Sequence, residues 1–272
     1  MKFAVLSDLH LGLELDYADI SVDSETYVKQ LLAGFIREMN TSVHPEFVVV
    51  LGDLIEDVDA VTDVRRMRYV LDTLSQLSCP VYCVAGNHDT VHIHNLSEIF
   101  GRKRLYYSFD SHTHHGVALF SQVHTDGTSS ISAEQRAWLA QDLENTTKPT
   151  LVFVHHSLAD QDLTGNPWFD GMPEKCLVAN RQEVRKILSD SQKVVACING
   201  HLHWDKYHVH DNIPYFTIQS AIENEDSQGV PSNTFGVITV DDRKVIVDIH
   251  GTYPKQFRHA QSSESGDEPP II

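Results

Sequence analysis

Five short apolar runs, at residues 3–6, 47–51, 80–85, 150–154 and 194–198, punctuate the chain without the polar alternation of a half-exposed strand. Runs of this length and β-rich composition predict strands covered on both faces. Between them the period changes. Val28, Leu31, Leu32, Phe35, Ile36 and Met39 fall on one stripe of a helix that Ser24 opens as N-cap, and Val64, Met67, Val70, Leu71, Leu74 and Leu77 mark a second. A third starts at Ser132, with Gln135 at the capping-box position and Trp138, Leu139 and Leu143 turned to the core. A fourth covers residues 180–188. Residues 105–109 and 117–123 read as strands joined by a turn-like segment at 112–116, and the chain from 199 to 249 as further strands with turns at Asp211-Asn212 and Asp241-Asp242. This alternation predicts a single α/β domain over residues 1–258. Residues 259–272, rich in Ser, Glu, Asp and Pro, read as a disordered tail.

The chemistry sits where the runs end. Asp8 and His10 follow the first, Asp53 the second, Asn87 and His88 the third, His155 and His156 the fourth, His201 and His203 the fifth. Ligand sites of α/β sheets gather beyond the carboxyl ends of strands, so these residues are expected to converge. Each group alone reads as a tight turn, because Gly-Asp and Gly-Asn-His-Asp suit left-handed backbone. Their recurrence at five strand ends does not. The donors are carboxylate, imidazole and amide, with no thiolate, a set that suits Mn, Fe or Zn.

Asp8-Leu9-His10, Gly52-Asp53, Gly86-Asn87-His88-Asp89, His155-His156 and Gly200-His201-Leu202-His203 together resemble the signature of the calcineurin-like metallophosphoesterase superfamily. The resemblance spans residues 6–203 and implies a four-layer αββα sandwich of two mixed β-sheets flanked by helices. It also implies two metal ions, one bound by Asp8, His10, Asp53 and His203, the other by Asp53, Asn87, His155 and His201. Asp53 would then be the bridging carboxylate, and a hydroxide shared by the metals the nucleophile. His155 is taken as the ligand, with His156 as the alternative. The resemblance makes His88 a contact to the phosphate and a proton donor to the leaving group. Asp89 has two readings: acceptor of the other ring N–H of His88, or helix N-cap. Where many phosphodiesterase relatives follow the paired histidines with two prolines, this chain has Ser157 and Leu158.

Charge narrows the substrate. The net charge of −17, from only 21 Lys and Arg, disfavours a nucleic-acid partner and offers nothing to an anionic membrane. A phosphorylated substrate must then be drawn in by bound cations, which are often the largest local charges in a site. Gly52-Asp53-Leu54-Ile55-Glu56-Asp57 and Asp89 differ from the phosphoprotein-phosphatase pattern. The expectation is a small phosphodiester or nucleotide-type substrate, as in class III cyclic-nucleotide phosphodiesterases, which the chain resembles. A phosphomonoesterase or nucleotidase is the alternative, ahead of a nuclease or a non-catalytic scaffold.

No apolar run reaches the roughly 18 to 20 residues of a membrane helix, and the N-terminus lacks a signal-peptide pattern, so a cytoplasmic protein is expected. The four cysteines form no CxxC pair and read as reduced, buried thiols. His92, His94, His112, His114, His115 and His124 are expected mostly in surface roles, and Arg102-Lys103-Arg104 as a solvated turn. A long loop at 157–173 carries Trp168 and Phe169, either as a stacking platform or as a latch that holds the loop down.

Overall fold

A computed structural model of the chain describes residues 1–13, 24–223 and 230–261. Its first strands are β1 (Lys2–Leu6), β2 (Val48–Val50), β3 (Val81–Cys83), β4 (Tyr107–Asp110), β5 (His115–Ala118), β6 (Gln122–Val123) and β7 (Ser129–Ser130). There follow β8 (Thr150–Val154), β9 (Val194–Asn199), β10 (Lys206–His210), β11 (Ile213–Thr217), β12 (Phe235–Val240), β13 (Lys244–His250) and β14 (Lys255–Ala260). The helices are α1 (Ser24–Glu38), α2 (Ala60–Leu74), α3 (Asn87–Thr90), α4 (Leu96–Ile99), α5 (Ala133–Asn145), α6 (Pro173–Cys176) and α7 (Arg181–Ser191).

Twelve of the strands form two six-stranded mixed sheets, ordered β14-β13-β12-β1-β2-β3 and β10-β11-β9-β8-β5-β4. Strand β1 shows why its sequence has no polar position. Phe3 and Val5 point between the sheets, where they meet Val49, Phe153, Ile198 and Phe216. Ala4 and Leu6 point outward, under Val28, Leu32 and Phe35 of α1 and Met67 and Val70 of α2. On the far side, Val152, Val154 and Cys197 meet Leu139 and Leu143 of α5 and Val184 and Leu188 of α7. Four layers, αββα, result, as expected. Burying each such aliphatic or aromatic side chain stabilises by about 1.5–3 kcal/mol, and both faces of the central strands contribute.

Strands β1, β2 and β3 run parallel, as do β5, β8, β9 and β11. The loops that leave the carboxyl ends of β1, β2, β3, β8 and β9 carry the expected site residues.

Several local expectations are corrected. Ser132 caps α5 by accepting the amide of Gln135, but the Gln135 side chain bonds the N–H and C=O of Phe120 instead of closing a capping box. The 112–116 turn is shorter than expected, because β5 begins at His115, paired with Asp110. His114 and His115 are buried rather than surface residues. His259 and Ala260, placed in the tail by composition, belong to β14 and pair with Val245 and Lys244. Gln261, also in the expected tail, donates its amide to the Arg243 carbonyl at 2.7 Å. Residues 262–272 and the side-chain cap of Ser24 lie outside the described residues. Lys103 and Arg104 are exposed, as expected of a solvated turn, while Arg102 and Arg104 also lie over the rings of Tyr107 and Tyr106. All four cysteines are free, and burial pushes the Cys83 thiol up to about 12. Among the described residues no helix is long and apolar enough to cross a membrane.

Candidate metal centre

The five strand-end loops meet in one place. Asp53 lies at its middle, with Oδ2 3.2 Å from His155 Nε2 and 3.7 Å from His10 Nε2. Around His155 Nε2 stand Asn87 Oδ1 at 3.0 Å and His201 Nδ1 at 3.1 Å. Around His10 Nε2 stands His203 Nε2 at 3.2 Å, with Asp8 Oδ1 3.6 Å from that same His203 nitrogen. Asp8, Asp53, His10, His155 and His201 are buried. The seven residues expected as ligands are thus adjacent, in two groups that share Asp53.

The loops reach this geometry through unusual backbone. Asp8, His10, Asp53, His201 and His203 have φ of 52°, 41°, 48°, 67° and 50°. Left-handed backbone at a non-glycine residue costs on the order of 1–3 kcal/mol, and it persists where surrounding structure over-determines it. Here the second anchors are visible. Both oxygens of Asp8 take the amide of His201, and Ser220 Oγ donates to the Asp8 carbonyl. Gly86 and Gly200 permit the close approach. A Cβ at Gly86 would come 2.1 Å from Asp53 Oδ1, and one at Gly200 would come 2.5 Å from Asp8 Oδ2.

The partners of the outer ring nitrogens say what the inner ones are for. His155 Nδ1 faces the Leu51 carbonyl at 2.9 Å, His10 Nδ1 faces Glu56 Oε2 at 2.8 Å, and His203 Nδ1 faces Glu223 Oε2 at 3.0 Å. Each partner only accepts, so each Nδ1 carries the proton and each neutral ring points the Nε2 lone pair inward. Lone pairs of His10 and His203 then face one another beside two carboxylates. That arrangement is repulsive unless a cation stands among them, and the residues fit a bound metal on these grounds. Without one, protons take the same place. Burial opposes charge on His203, but Asp8 and Glu223 hold it up to about 10, and Asp53 and Asp8 hold His155 up to about 9 against the same burial. Burial likewise favours neutral Asp53 and Asp8, yet the imidazoles prevail and hold both carboxyls below the ordinary value.

His156 takes a different position from His155. Ser121 Oγ accepts the His156 amide and lies 2.8 Å from Nδ1. Burial and the neighbouring His201 and His155 keep the His156 ring neutral, well below its ordinary pKa. Its ring borders a cavity of about 340 Å³ that opens over Asp53, Asn87, His88, His201 and His203.

The family model for calcineurin-like phosphoesterases matches residues 1–205. The chain belongs to this family. It is accordingly a metal-dependent phosphoric ester hydrolase. It is 24% identical over 230 residues to a probable cyclic nucleotide phosphodiesterase of Psychrobacter arcticus, covering 79% of this chain and 78% of that one. It is 24% identical over 209 residues to a probable glycerophosphodiester phosphodiesterase of Arcobacter nitrofigilis, covering 73% and 70%. The fold matches that of a dimetal phosphatase from Danio rerio with TM-score 0.72 at 16% identity, over 96% of this chain and 99% of that one.

In this phosphoesterase His88 stands at the cavity, but its expected partner is different. Asp89 accepts the amides of Gly86 and Leu54, both at 2.9 Å, so it ties α3 to the Asp53 loop and does not touch the His88 ring. Of its two readings the helix-end role is the one realised, with the carboxylate at the third helical position rather than at the N-cap. Burial, helped by the charge of Asp53, pushes the Asp89 carboxyl up to about 7. The His88 ring instead meets Asp57, with Glu56 at 3.6 Å. Burial opposes charge on His88, but Asp53, Glu56 and Asp57 raise its pKa above the ordinary value. Glu56, Asp57, Ser121 and Glu223 were not singled out from the sequence. Glu56 and Asp57 follow Asp53 by three and four residues and share its loop, which is a usable signal. Glu223 lies far from every motif and carries none.

Proposed function

We propose that the chain hydrolyses a small phosphodiester with two metal ions, one held by Asp8, His10, Asp53 and His203 and the other by Asp53, Asn87, His155 and His201. The observation that carries this reading is the single carboxylate oxygen of Asp53 lying between the His155 and His10 nitrogens, at 3.2 and 3.7 Å. Two cations in these positions would lower the pKa of a shared water and polarise the phosphoryl oxygens.

The chain's own residues supply the rest. Leu51, Glu56 and Glu223 orient the rings through Nδ1, so that Nε2 of His155, His10 and His203 faces the metal positions. The His88 amide donates to Asp53 Oδ1 at 3.0 Å and orients the shared carboxylate. With Nδ1 committed to Asp57, the His88 ring offers Nε2 to the cavity, where it places a proton on the departing alkoxide. Asn87 supplies an amide oxygen, and Asp89 acts as a positioning residue through Gly86 and Leu54.

A small diester is favoured by three things. The cavity of about 340 Å³ suits a ligand of nucleotide or glycerol-diester size. The net charge of −17 opposes a polyanionic chain. The two relatives named above are described as acting on cyclic nucleotides and on glycerophosphodiesters. Manganese, iron and zinc all suit the thiolate-free donor set.

The test is turnover of bis-(p-nitrophenyl) phosphate against p-nitrophenyl phosphate by the manganese-loaded protein, with Asn87→Ala as control and metal content measured in parallel. Diester turnover at least about tenfold above monoester, lost in the variant, with two metals per chain, is the expected result. A monoester preference would replace the diester with a nucleotidase-type substrate, and one metal per chain would remove the bridging role of Asp53.

A further inference from the structure

The Trp168-Phe169 pair is split between two jobs. Its loop is pinned by Asn166, a buried side chain whose Nδ2 donates to the Leu202 carbonyl at 2.8 Å. Asn166 Oδ1 accepts the amides of both Trp168 and Phe169 at 2.9 Å. Leu202 lies between His201 and His203, so the loop is seated directly on the metal-binding segment. Phe169 is the latch. Its ring lies 4.8 Å from that of His201 and packs with Leu163, Cys176, Leu177 and Trp204.

Trp168 faces the other way. It is 42% exposed and borders the cavity, yet its indole does not swing freely. Nε1 donates to Glu223 Oε2 at 2.7 Å, the same oxygen that takes His203 Nδ1, and the ring stands edge-on to His203 with centroids 5.7 Å apart. Once the polar end of the indole is committed to a buried carboxylate, the remaining flat apolar face is held at the cavity. A ligand that packs there meets a wall whose rotamer is already set, which lowers the entropic cost of binding.

Two further observations define what that wall suits. Val123 of β6, 37% exposed, borders the same cavity, so two of the exposed large apolar side chains among the described residues converge on it. The one Lys or Arg bordering the cavity is Lys175, and its Nζ already donates to the Asp126 carbonyl at 2.7 Å. Among the described residues, no other Lys or Arg borders the cavity to receive a second anionic group beyond the metals.

We propose that Trp168 is the specificity-determining residue of this site: on the reading that the site hydrolyses a small phosphodiester, the fixed indole face takes a neutral planar ring, a nucleobase or a ring of like shape, carried by one of the two esterifying alcohols. A glycerol-type diester fills no such slot.

Titration calorimetry on the manganese-loaded full chain tests this with two probes, adenosine monophosphate, which carries the ring, and glycerol phosphate, which does not. Replacing Trp168 with Leu is expected to weaken adenosine monophosphate about tenfold, within the range of base–aromatic stacking, and to leave glycerol phosphate within about twofold. The substitution Trp168→Phe, which keeps a ring, should retain most of the affinity, and Val123→Asn should weaken the nucleotide several-fold. Metal content should not change. Equal weakening of both probes, loss of metal in Trp168→Leu, or no binding of the nucleotide to the unaltered chain each overturns the proposal. Turnover of cyclic AMP and of glycerophosphocholine by the unaltered chain reports separately on the diester reading. If neither is hydrolysed while nucleotide binding still depends on Trp168, the diester reading fails and the ring subsite stands.

Discussion

Asp57 Oδ1 lies 2.5 Å from His88 Nδ1, while Asp89, beside His88 in sequence, turns away to the amides of Gly86 and Leu54. Asp57 is therefore the residue that fixes the His88 tautomer and ring direction. Replacing His88 with Ala should lower kcat by about 10²- to 10⁴-fold, the usual contribution of a positioned proton donor. Asp57→Asn keeps the shape but gives Nδ1 a neutral partner, and should lower kcat by about tenfold, with KM and metal content little changed. Steady-state kinetics on both variants, with metal measured on the same samples, decides it. A loss of metal in Asp57→Asn would mean that the residue serves the ligand shell and not His88.

Gly86 carries a second prediction. It sits at φ −91°, which alanine adopts freely, so the consequence of Gly86→Ala comes from contact alone. The new Cβ would lie 2.1 Å from Asp53 Oδ1 and 2.3 Å from its amide nitrogen. Asp53 must move, and with it the oxygen that joins the two ligand groups. Metal affinity should fall by about 10- to 100-fold, the range seen when a metal ligand is misoriented. Isothermal titration with Mn²⁺ measures this, and circular dichroism shows whether the fold is kept. Unchanged affinity would show that Asp53 is not held in the bridging position.

The strand ends were legible because each carries two independent signs, an apolar run that stops abruptly and a metal-capable side chain at the stop. Phe3 to Leu6 followed by Asp8 and His10 is readable without coordinates, since both faces of β1 are buried and the chain must then leave the sheet. Glu223 shows the limit. It takes His203 Nδ1 and Trp168 Nε1 on one oxygen, yet in sequence it stands among residues with no period and no motif. Only the folding of the chain after β11 back over Ser7 brings it there, through the bond from the Ala221 amide to the Ser7 carbonyl. Asp89 failed for a related reason. Proximity in sequence to His88 suggested contact, but on a single helical turn adjacent residues point about 100° apart. The histidines beside Asp110 were misplaced because a polar pair inside a hairpin reads as a turn, whereas His115 bonds both the nearby Asp110 and Asp142 of α5, a partner distant in sequence.

Metal removal should destabilise the fold as well as abolish activity. The inward-facing nitrogens of His10 and His203, 3.2 Å apart, and the buried carboxylates of Asp8 and Asp53 are compatible without a metal only when protons stand in. A ligand that binds only the folded chain stabilises it by about 2.7 kcal/mol at a hundred times its Kd. Manganese added to chelator-treated protein should therefore raise Tm by several degrees, with Asn87→Ala responding less. Differential scanning calorimetry at a series of Mn²⁺ concentrations measures it. A Tm independent of metal would count against any buried metal in this cluster.

His115 supplies a pH prediction remote from that cluster. Its Nδ1 lies 2.7 Å from Asp110 Oδ1 and its Nε2 2.9 Å from Asp142 Oδ2, while Lys148 faces Asp110 and Ser108 donates to Asp142. Burial opposes the charged ring, but the bonds to Asp142 and Asp110 prevail and raise its pKa above the ordinary 6.5. A group whose pKa is higher in the folded than in the unfolded chain stabilises fully below the unfolded value, and the contribution is lost as pH rises through the folded value. His115→Gln should therefore be most destabilising near pH 5.5, and the gap to the unaltered chain should shrink steadily on the alkaline side of about 6.5. Denaturant midpoints for both proteins between about pH 5 and 9 test it. A gap that is constant, or that widens with pH, would show that His115 is held neutral and that its two carboxylates do not act on its charge.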